Sequence, residues 1–260
     1  MSDGGWSGGA FGARARCVLA PNAGPMTLDG TNTWVLREPG GRRSVVVDPG
    51  PLDDGHLESV LDAAGPVGVV LLTHRHVDHS EGARRFAEAA GCGVRALDPD
   101  YRLGSEGLGD GDVVDVDGLE VRVVGTPGHS SDSLSFVLPA EAAVLTGDTV
   151  LGRGTTVVAH PDGELGAYLG SLHRLRDLAE SAELAQVWPG HGPVIDGALA
   201  AIEGYLAHRA ERLEQVREAL AAGATTAREV VERVYADVDR VLWPAAELSV
   251  RAQLEYLGRG

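Results

Sequence analysis

The sequence predicts a layered α/β domain followed by a small all-α unit. Between Cys17 and Val194, short β-branched runs alternate with segments of helical apolar periodicity, and Gly, Pro and Asp separate them. From Ala198 onward only helical patterns occur. Strands joined partly by helices and partly by hairpin-length links favour stacked layers of sheet and helix.

The strands of the first part are predicted where β-branched and apolar residues are concentrated between turn residues. They are Thr33–Leu36, Ser44–Asp48, Val67–Thr73, Gly93–Leu97, Leu119–Val124, Ser133–Leu138, Ala143–Thr146 and Ala185–Trp188. Apolar residues at helical spacing predict helices in three intervening segments. These are His56–Ala64, Glu81–Ala90 and Ala167–Ser181.

The helical unit begins with a long segment, Ala198–Ala222, which Gly223 ends. Thr226 followed by Glu229 is a capping box and predicts a second helix, to about residue 237. Pro244 predicts the start of a third helix, which runs to residue 256. We therefore place a main domain at residues 1–197 and a helical C-terminal domain at residues 198–260.

Composition restricts the class of protein and its partners. Hydrophobic residues make up 43% of the 260 residues, which is enough for a core, and the sequence contains no apolar run long enough to span a membrane. The 38 acidic and 22 basic side chains give a formal charge of −16. Such a negative surface repels phosphate backbones, so broad electrostatic binding of nucleic acid is disfavoured.

The N-terminal residues and the cysteine content predict a cytoplasmic location. Residues 1–16 lack the basic start and apolar stretch of a secretory signal. Cys17 and Cys92 are the cysteines of the sequence, too few for a disulfide framework.

The strongest chemical signal follows the apolar run Val67–Leu72 and has the pattern H-x-H-x-D-H. On an extended chain His74, His76 and Asp78 would project from one face of the strand end. The turn into the next helix would swing His79 towards a neighbouring point, which suits two adjacent metal ions. Imidazole nitrogens and carboxylate oxygens are ligands that Zn²⁺ takes where thiolates are absent.

Three further polar residues each come just after a predicted strand and beside a glycine. They are His129, Asp148 and His191, preceded by Gly128, Gly147 and Gly190. Glycine allows the backbone to approach other groups closely. Ligands delivered from several strand ends converge on one edge of a sheet, so we expect one shared site.

These motifs resemble the signature of the metallo-β-lactamase superfamily, in which H-x-H-x-D-H is followed by His, Asp and His. The resemblance covers about residues 31–194 and implies a four-layer αββα sandwich with a dinuclear metal site. It implies that His74, His76 and His129 hold one metal, that Asp78, His79 and His191 hold the other, and that Asp148 bridges both. It also matches Asp48 to an acidic residue that would orient a ligand from outside the metal shell.

Residues 27–34, with the sequence TLDGTNTW, and the helical C-terminus resemble the β-lactamase-like protein 2 branch of this superfamily. Members of that branch carry a small winged-helix-type domain, and the animal member is an endoribonuclease that acts on single-stranded RNA. Here the wing hairpin is expected to be short or missing, because the sequence ends directly after the third helix.

These observations predict a hydrolase that uses a metal-bound hydroxide, with two Zn²⁺ or alternatively Fe or Mn. Asp78 and Asp148 would be the catalytic carboxylates. Two substrate classes stay open: single-stranded RNA, which the resemblance favours, and an acyl thioester or lactone as in glyoxalase II, which suits the acidic surface better. An iron-dependent sulfur dioxygenase or oxidoreductase, and a homodimer or partner-binding role for the helical tail, are the alternatives outside hydrolysis.

The sequence also predicts the surroundings of four polar residues outside these motifs. His160 and Tyr168 are expected to contact substrate, because the Gly- and Thr-rich segment after Asp148 would border the metals. Arg209 and Arg212 are expected to lie on a solvated helix face with neighbouring glutamates.

Overall fold

The computed structural model describes residues 5–258 and contains two six-stranded sheets. The first sheet consists of β1 (Gly9–Phe11), β2 (Ala15–Leu19), β3 (Asn32–Leu36), β4 (Ser44–Val47), β5 (Val67–Leu71) and β6 (Gly93–Arg95), in that order. The second sheet consists of β7 (Val113–Val116), β8 (Leu119–Gly125), β9 (Leu134–Leu138), β10 (Ala143–Gly147), β11 (Gln186–Pro189) and β12 (Ile195–Asp196), and these strands also lie side by side in chain order.

The helices connect and cover these sheets. They are α1 (Asp54–Ala64), α2 (Val77–Ser80), α3 (Ala83–Ala90), α4 (Leu165–Ser181), α5 (Ala198–Ala221), α6 (Ala227–Val234) and α7 (Trp243–Tyr256), with short 3₁₀ turns at Pro99–Tyr101, Pro139–Glu141 and Arg240–Leu242. In the first sheet β4, β5 and β6 are parallel, and in the second β10 and β11 are parallel. Strands β8 and β10 each pair antiparallel with β9, so β8, β10 and β11 all end at the same edge.

Apolar side chains of both sheets meet in one buried interior. Trp34 of β3 and Trp188 of β11 stack across it, with ring centroids 5.0 Å apart and planes 12° apart. On the outer face of the first sheet, α1 and α3 pack through residues such as Leu57 and Phe86. On the outer face of the second, α4 and α5 pack through Leu172 and others. The order helix, sheet, sheet, helix confirms the predicted αββα sandwich.

The C-terminal helices form a further apolar cluster of their own. The second half of α5 packs against α6 and α7 through Val216, Val230 and Val250. The capping box at Thr226 and Glu229 is present, as predicted. Residues 198–258 contain no strand, in line with the expected short or missing wing hairpin.

Helix α5 contributes to two apolar clusters. Its first half packs on the sandwich, and its second half packs on α6 and α7. The proposed boundary between residues 197 and 198 therefore stays a prediction. Residues 1–4 and 259–260, with the two outer ends of the predicted domains, lie outside the described residues.

Strands β1, β2, β7 and β12 were not predicted from the sequence. β7 and β8 form a hairpin whose turn is Asp117-Gly118, and both turn residues have positive φ as a type I′ turn requires. β1 and β2 lie in and after the Gly-rich start, where strand propensity is low, but Phe11 packs against Trp34 at a centroid distance of 5.5 Å. Tertiary packing, rather than local preference, stabilises β1 and β2.

Among residues 5–258, none of the helices combines the length and the apolar composition needed to cross a lipid bilayer.

The tryptophan stack leads to a stability prediction. Trp34 is 2% exposed, so Trp34→Ala should leave a cavity between the sheets and lower the free energy of unfolding by about 3–5 kcal/mol. Urea denaturation followed by circular dichroism measures this change. As a control, Val113→Ala on a strand position that is 56% exposed should change the free energy by less than about 0.5 kcal/mol. Equal effects of the two substitutions would contradict this account of the core.

Candidate metal centre

A cluster of imidazoles and carboxylates lies at the edge of the sandwich where four strands end. The H-x-H-x-D-H motif follows β5, and the other polar residues follow β8, β10 and β11. Bonds between the sheets hold this edge together: Asn32 Nδ2 donates to the carbonyls of Pro189 and Gly192, and the N–H of Leu134 donates to the carbonyl of Thr73. The members of the cluster are His74, His76, Asp78, His79, His129, Asp148 and His191.

The motif changes from extended to helical chain in its middle, and this divides its side chains between two groups. His76 is the N-cap of α2, and Asp78 and His79 lie on the short helix that follows. The expectation that Asp78 shares one strand-end face with His74 and His76 is therefore wrong, because the alternation of an extended chain ends at His76. His79 does swing to a neighbouring point, as predicted, and Asp78 goes with it.

The first group contains three imidazoles from two segments. His74 Nε2 lies 3.0 Å from His76 Nδ1, and His76 Nδ1 lies 3.0 Å from His129 Nε2. His74 and His129 are buried, whereas His76 is half-buried. Three ring nitrogens thus face one small volume.

The second group contains two imidazoles and a carboxylate. His79 Nε2 and His191 Nε2 are 3.2 Å apart, and Asp78 Oδ2 lies 3.3 Å from the former and 3.1 Å from the latter. Asp148 stands between the groups: Oδ1 lies 3.4 Å from His79 Nε2, and Oδ2 lies 3.3 Å from His191 Nε2 and 3.7 Å from His129 Nε2. This is the position that a bridging carboxylate requires.

Hydrogen bonds outside the cluster select the tautomer of four imidazoles. Their Nδ1 atoms lie 2.8 to 3.1 Å from oxygen atoms, so each Nδ1–H donates outward and each Nε2 presents a lone pair inward. The four pairs are His74 with Thr73 Oγ1, His79 with Asp48 Oδ2, His129 with the Val157 carbonyl and His191 with the Gly30 carbonyl.

This arrangement fits a divalent cation. Inward lone pairs 3.0 to 3.2 Å apart repel each other unless a proton or a metal ion lies between them. Asp148 Oδ1 is buried and has no hydrogen-bond partner among the described residues, and such an orphaned acceptor is costly unless a cation satisfies it. Nitrogen and oxygen donors of this kind suit zinc, iron and manganese.

The charges of the cluster shift its pKa values in opposite directions. Burial disfavours the charge of Asp148, but His191 and His79 outweigh burial and hold the pKa of this carboxyl well below its usual range. Burial likewise disfavours charge on His191, yet Asp148 and Asp78 raise its pKa to about 9. Burial and neighbouring imidazoles lower the pKa of His74. In the absence of metal, the second group therefore retains a proton at neutral pH that a metal ion must displace.

Asp48 lies directly behind the cluster. It is 2% exposed; its Oδ1 accepts from the N–H of Thr73 at 2.8 Å, and its Oδ2 accepts from Thr73 Oγ1 at 2.6 Å and from His79 Nδ1 at 2.9 Å. One carboxylate thus orients His79 directly and His74 through Thr73. This is the contact expected of a residue that supports the ligands from outside, a role that stays a prediction.

Sequence reasoning missed one supporting residue. Thr73 links Asp48 to His74 through its hydroxyl group, and its position just before the motif was the available signal. Gly190 shows the close approach that was expected of the glycine before His191. A Cβ at this position would lie 2.5 Å from Asp148 Oδ1 and 2.8 Å from His79 Cε1, so the site requires the missing side chain.

The two residues expected to contact substrate lie elsewhere. Tyr168 has no exposed surface, and its hydroxyl donates to the carbonyl of Thr149 at 2.7 Å, so it supports the loop behind the cluster instead. His160 Nδ1 pairs with Glu255 of α7 at 2.9 Å. The sequence placed both residues near the loop correctly but could not show which way their side chains point.

A cavity of about 320 Å³ adjoins the cluster between the sandwich and the C-terminal helices. His129 and Asp148 lie in its wall, which is otherwise largely aliphatic: Met26, Leu28, Leu151, Val238, Leu242 and Ala246. Arg209 and Arg212 also line it, so the expectation of a solvated helix face for these residues is wrong. Arg209 is only 5% exposed, because α5 turns this side towards the loop after β10.

Comparison with known proteins agrees with this geometry. Residues 26–191 match the family model of the metallo-beta-lactamase superfamily, and residues 226–259 match the beta-lactamase associated winged helix domain. A Caenorhabditis elegans protein named beta-lactamase-like protein 2 homolog is 32% identical over 259 residues, which cover 92% of this chain and 82% of the relative. An Aspergillus fumigatus protein named atrochrysone carboxyl ACP thioesterase is 35% identical, and the match covers 84% of this chain and 72% of that relative.

A solved structure shows the same fold. The crystal structure of a metallo-beta-lactamase family protein from Thermus thermophilus superposes with a TM-score of 0.78 and 24% sequence identity. The superposition covers 94% of this chain and 93% of that chain.

The contacts of Asp48 predict its effect on metal binding. Asp48→Asn removes the charge that holds His79 and Thr73, so the affinity for Zn²⁺ should fall by about 10–100-fold. Competition with a chromophoric chelator measures this. Asp53→Asn is the matched control, because Asp53 only caps α1 by accepting from the N–H of His56. Unchanged affinity in Asp48→Asn would show that this carboxylate does not support the ligands.

The raised pKa of His191 predicts proton release on metal binding. A folded-state pKa of about 9 means that the imidazole is protonated at neutral pH and loses its proton as pH rises through that value. Zn²⁺ binding at about pH 7 should therefore release at least one proton, and apparent affinity should rise up to about pH 9. The dependence of the calorimetric binding enthalpy on the ionisation enthalpy of the buffer counts these protons. A buffer-independent enthalpy at about pH 7 would contradict the assignment.

Proposed function

The chain belongs to the metallo-beta-lactamase superfamily, and on this basis we propose that it is a metal-dependent hydrolase of acyl substrates such as thioesters or lactones. The observation that carries the proposal is the convergence of seven ligand-type side chains beside an aliphatic cavity. The cluster supplies a place for the chemistry, and the cavity supplies a place for an apolar acyl group.

The metal ions would be held by the side chains that the geometry groups together. His74, His76 and His129 would hold one, His79, Asp78 and His191 the other, and Asp148 would lie between them. A pair of divalent cations there would activate water as a nucleophile and polarise the carbonyl of the substrate. We propose zinc, although the same donors accept iron or manganese, which metal analysis of purified protein distinguishes.

The protein itself would orient the ligands of the site. Outward hydrogen bonds hold the buried imidazoles in one orientation before any ligand binds, which is the preorganisation that catalysis requires. The side chain of Asp78 is more exposed than that of Asp148, at 24% against 11%, and its Oδ2 accepts from Thr31 Oγ1 at 3.3 Å. This position suits a carboxylate that would orient the attacking water and later accept its proton.

The cavity favours an acyl substrate over a polynucleotide. Aliphatic side chains next to His129 and Asp148 can bury a hydrocarbon chain, and each buried methylene group contributes about 0.8 kcal/mol to binding. A formal charge of −16 disfavours an extended phosphate backbone. The relative named as an acyl carrier protein thioesterase supports the same substrate class.

Single-stranded RNA is the second candidate. It is supported by the match of residues 226–259 to a winged helix domain and by relatives named beta-lactamase-like protein 2 homolog. Residues 198–258 contain no strand, so this part of the chain presents no β-hairpin wing to nucleic acid.

One activity screen separates these candidates. Octanoyl thioesters and lactones should be hydrolysed, a chelator should abolish turnover, and Zn²⁺ should restore it. Asp148→Ala should lower kcat by at least about a hundredfold, whereas Asp54→Ala, at an exposed helix position, should not change it. Cleavage of labelled single-stranded RNA without acyl hydrolysis would overturn the acyl assignment, and metal-independent turnover would overturn the whole proposal.

A further inference from the structure

One wall of the cavity beside the metal cluster is cationic. This wall is formed by α5 and contains His208, Arg209 and Arg212, whereas the opposite walls are mainly aliphatic. A charged wall in an otherwise apolar cavity is unusual, because charge in a desolvated place is costly unless a partner compensates it.

Arg209 has incomplete compensation. Its Nη2 donates to the Thr156 carbonyl at 2.5 Å, and its guanidinium lies 5.0 Å from the centroid of the Tyr168 ring. Its Nε is buried without a hydrogen-bond partner in the part of the chain that the structure describes. No carboxylate of residues 5–258 comes within salt-bridge distance of this side chain, which is 5% exposed.

Arg212 is half-buried and also lacks a carboxylate partner among the described residues. Its Nη1 donates to Gln215 Oε1 at 2.9 Å and to the Val234 carbonyl at 2.8 Å, and the guanidinium stacks 4.4 Å from the centroid of the Tyr235 ring. These contacts hold the side chain in place and use only Nη1 of the guanidinium. The N–H groups of Nε and Nη2 therefore remain available as donors. In contrast, Arg153 at the rim pairs with Asp29 and is already neutralised.

The pKa of His208 is affected by the positive charge of this wall. Its Nδ1 is buried without a partner among residues 5–258. Burial lowers its pKa, and the adjacent positive charges of Arg209 and Arg212 lower it further. The imidazole is therefore neutral at neutral pH and can donate a hydrogen bond next to two cations.

We propose that His208, Arg209 and Arg212 form an anion-binding subsite for a substrate that is apolar in its middle and anionic at a point remote from the scissile carbonyl. This inference rests on the proposed function and deepens it. The carbonyl would lie at the metal cluster, the hydrocarbon along the aliphatic wall, and the anion against α5. The anion is either a carboxylate on the acyl group or a phosphate on the thiol, since guanidinium recognises both.

Binding to metal-free protein tests the subsite without catalysis. Octanoate and octyl phosphate should bind at least about tenfold more tightly than octanol, because only the anions gain charge-assisted hydrogen bonds. Isothermal calorimetry at low salt measures all three. If octanol binds as tightly as both anions, the proposed subsite does not exist. This measurement uses the unsubstituted protein alone.

Substitutions then assign the preference to α5. Arg212→Gln should abolish the tenfold advantage of the anions and leave octanol binding unchanged. Arg212→Lys should keep most of the advantage of the anions, because the positive charge is retained. If circular dichroism shows that Arg212→Gln does not fold, Arg212→Lys is used in its place. The matched control is Arg217→Gln on the same helix, outside this cavity, where the arginine already pairs with Glu214. An undiminished preference in folded Arg212→Gln, or a lost preference in folded Arg212→Lys, would overturn the proposal.

Hydrolysis of matched thioesters identifies the source of the anion. One pair compares the octanoyl and the ω-carboxyoctanoyl thioesters of N-acetylcysteamine; the other compares octanoyl pantetheine with octanoyl phosphopantetheine. The anionic member of one pair should have the higher kcat/KM, and Arg212→Gln should remove that advantage. If all four are hydrolysed equally, the subsite fails and the acyl hydrolase stands. If none is hydrolysed while the anions still bind preferentially, the hydrolase proposal fails and the subsite stands.

Discussion

Five imidazoles share one small buried volume because four of them donate their Nδ1 proton to an oxygen outside it. Each outward bond fixes a tautomer and turns a lone pair inward. Lone pairs at 3.0 to 3.2 Å repel each other unless a proton or a metal ion lies between them, and together with the unpaired Asp148 Oδ1 they suit a divalent cation.

The arrangement of strands in the sandwich brings the segments that carry the cluster to one edge. Strands β8, β10 and β11 end on the same side, and Asn32 ties the first sheet to the loop that carries His191. The apolar interior around Trp34 and Trp188 keeps the two sheets in register beneath these bonds. Residues separated by more than a hundred positions in the chain thus stay within one hydrogen-bond length of each other.

The C-terminal helices do more than pack beside the sandwich. Because α5 belongs to both apolar clusters, it closes the cavity next to His129 and Asp148 and turns Arg209 and Arg212 towards it. The same arginine that lines the cavity, Arg209, bonds the Thr156 carbonyl, and Thr156 Oγ1 in turn donates to the carbonyl of Asp148. The proposed anion subsite and the support of the loop that carries Asp148 therefore lie on one helix.

The sequence alone determined the order of eight of the twelve strands and the identity of the seven clustered side chains. Local periodicity, the spacing of H-x-H-x-D-H and a polar residue beside a glycine at a strand end are all properties of short segments. It did not determine β1 and β2, whose Phe11 and Cys17 pack in the interior between the sheets, or β7 and β12, the short strands at the two edges of the second sheet. It could not show that Tyr168 points into the core, that Asp78 leaves the face of His74, or that Arg209 is buried. Those outcomes depend on which surfaces meet in three dimensions, and only the packing of α5 against the sandwich decides what a charged helix face touches.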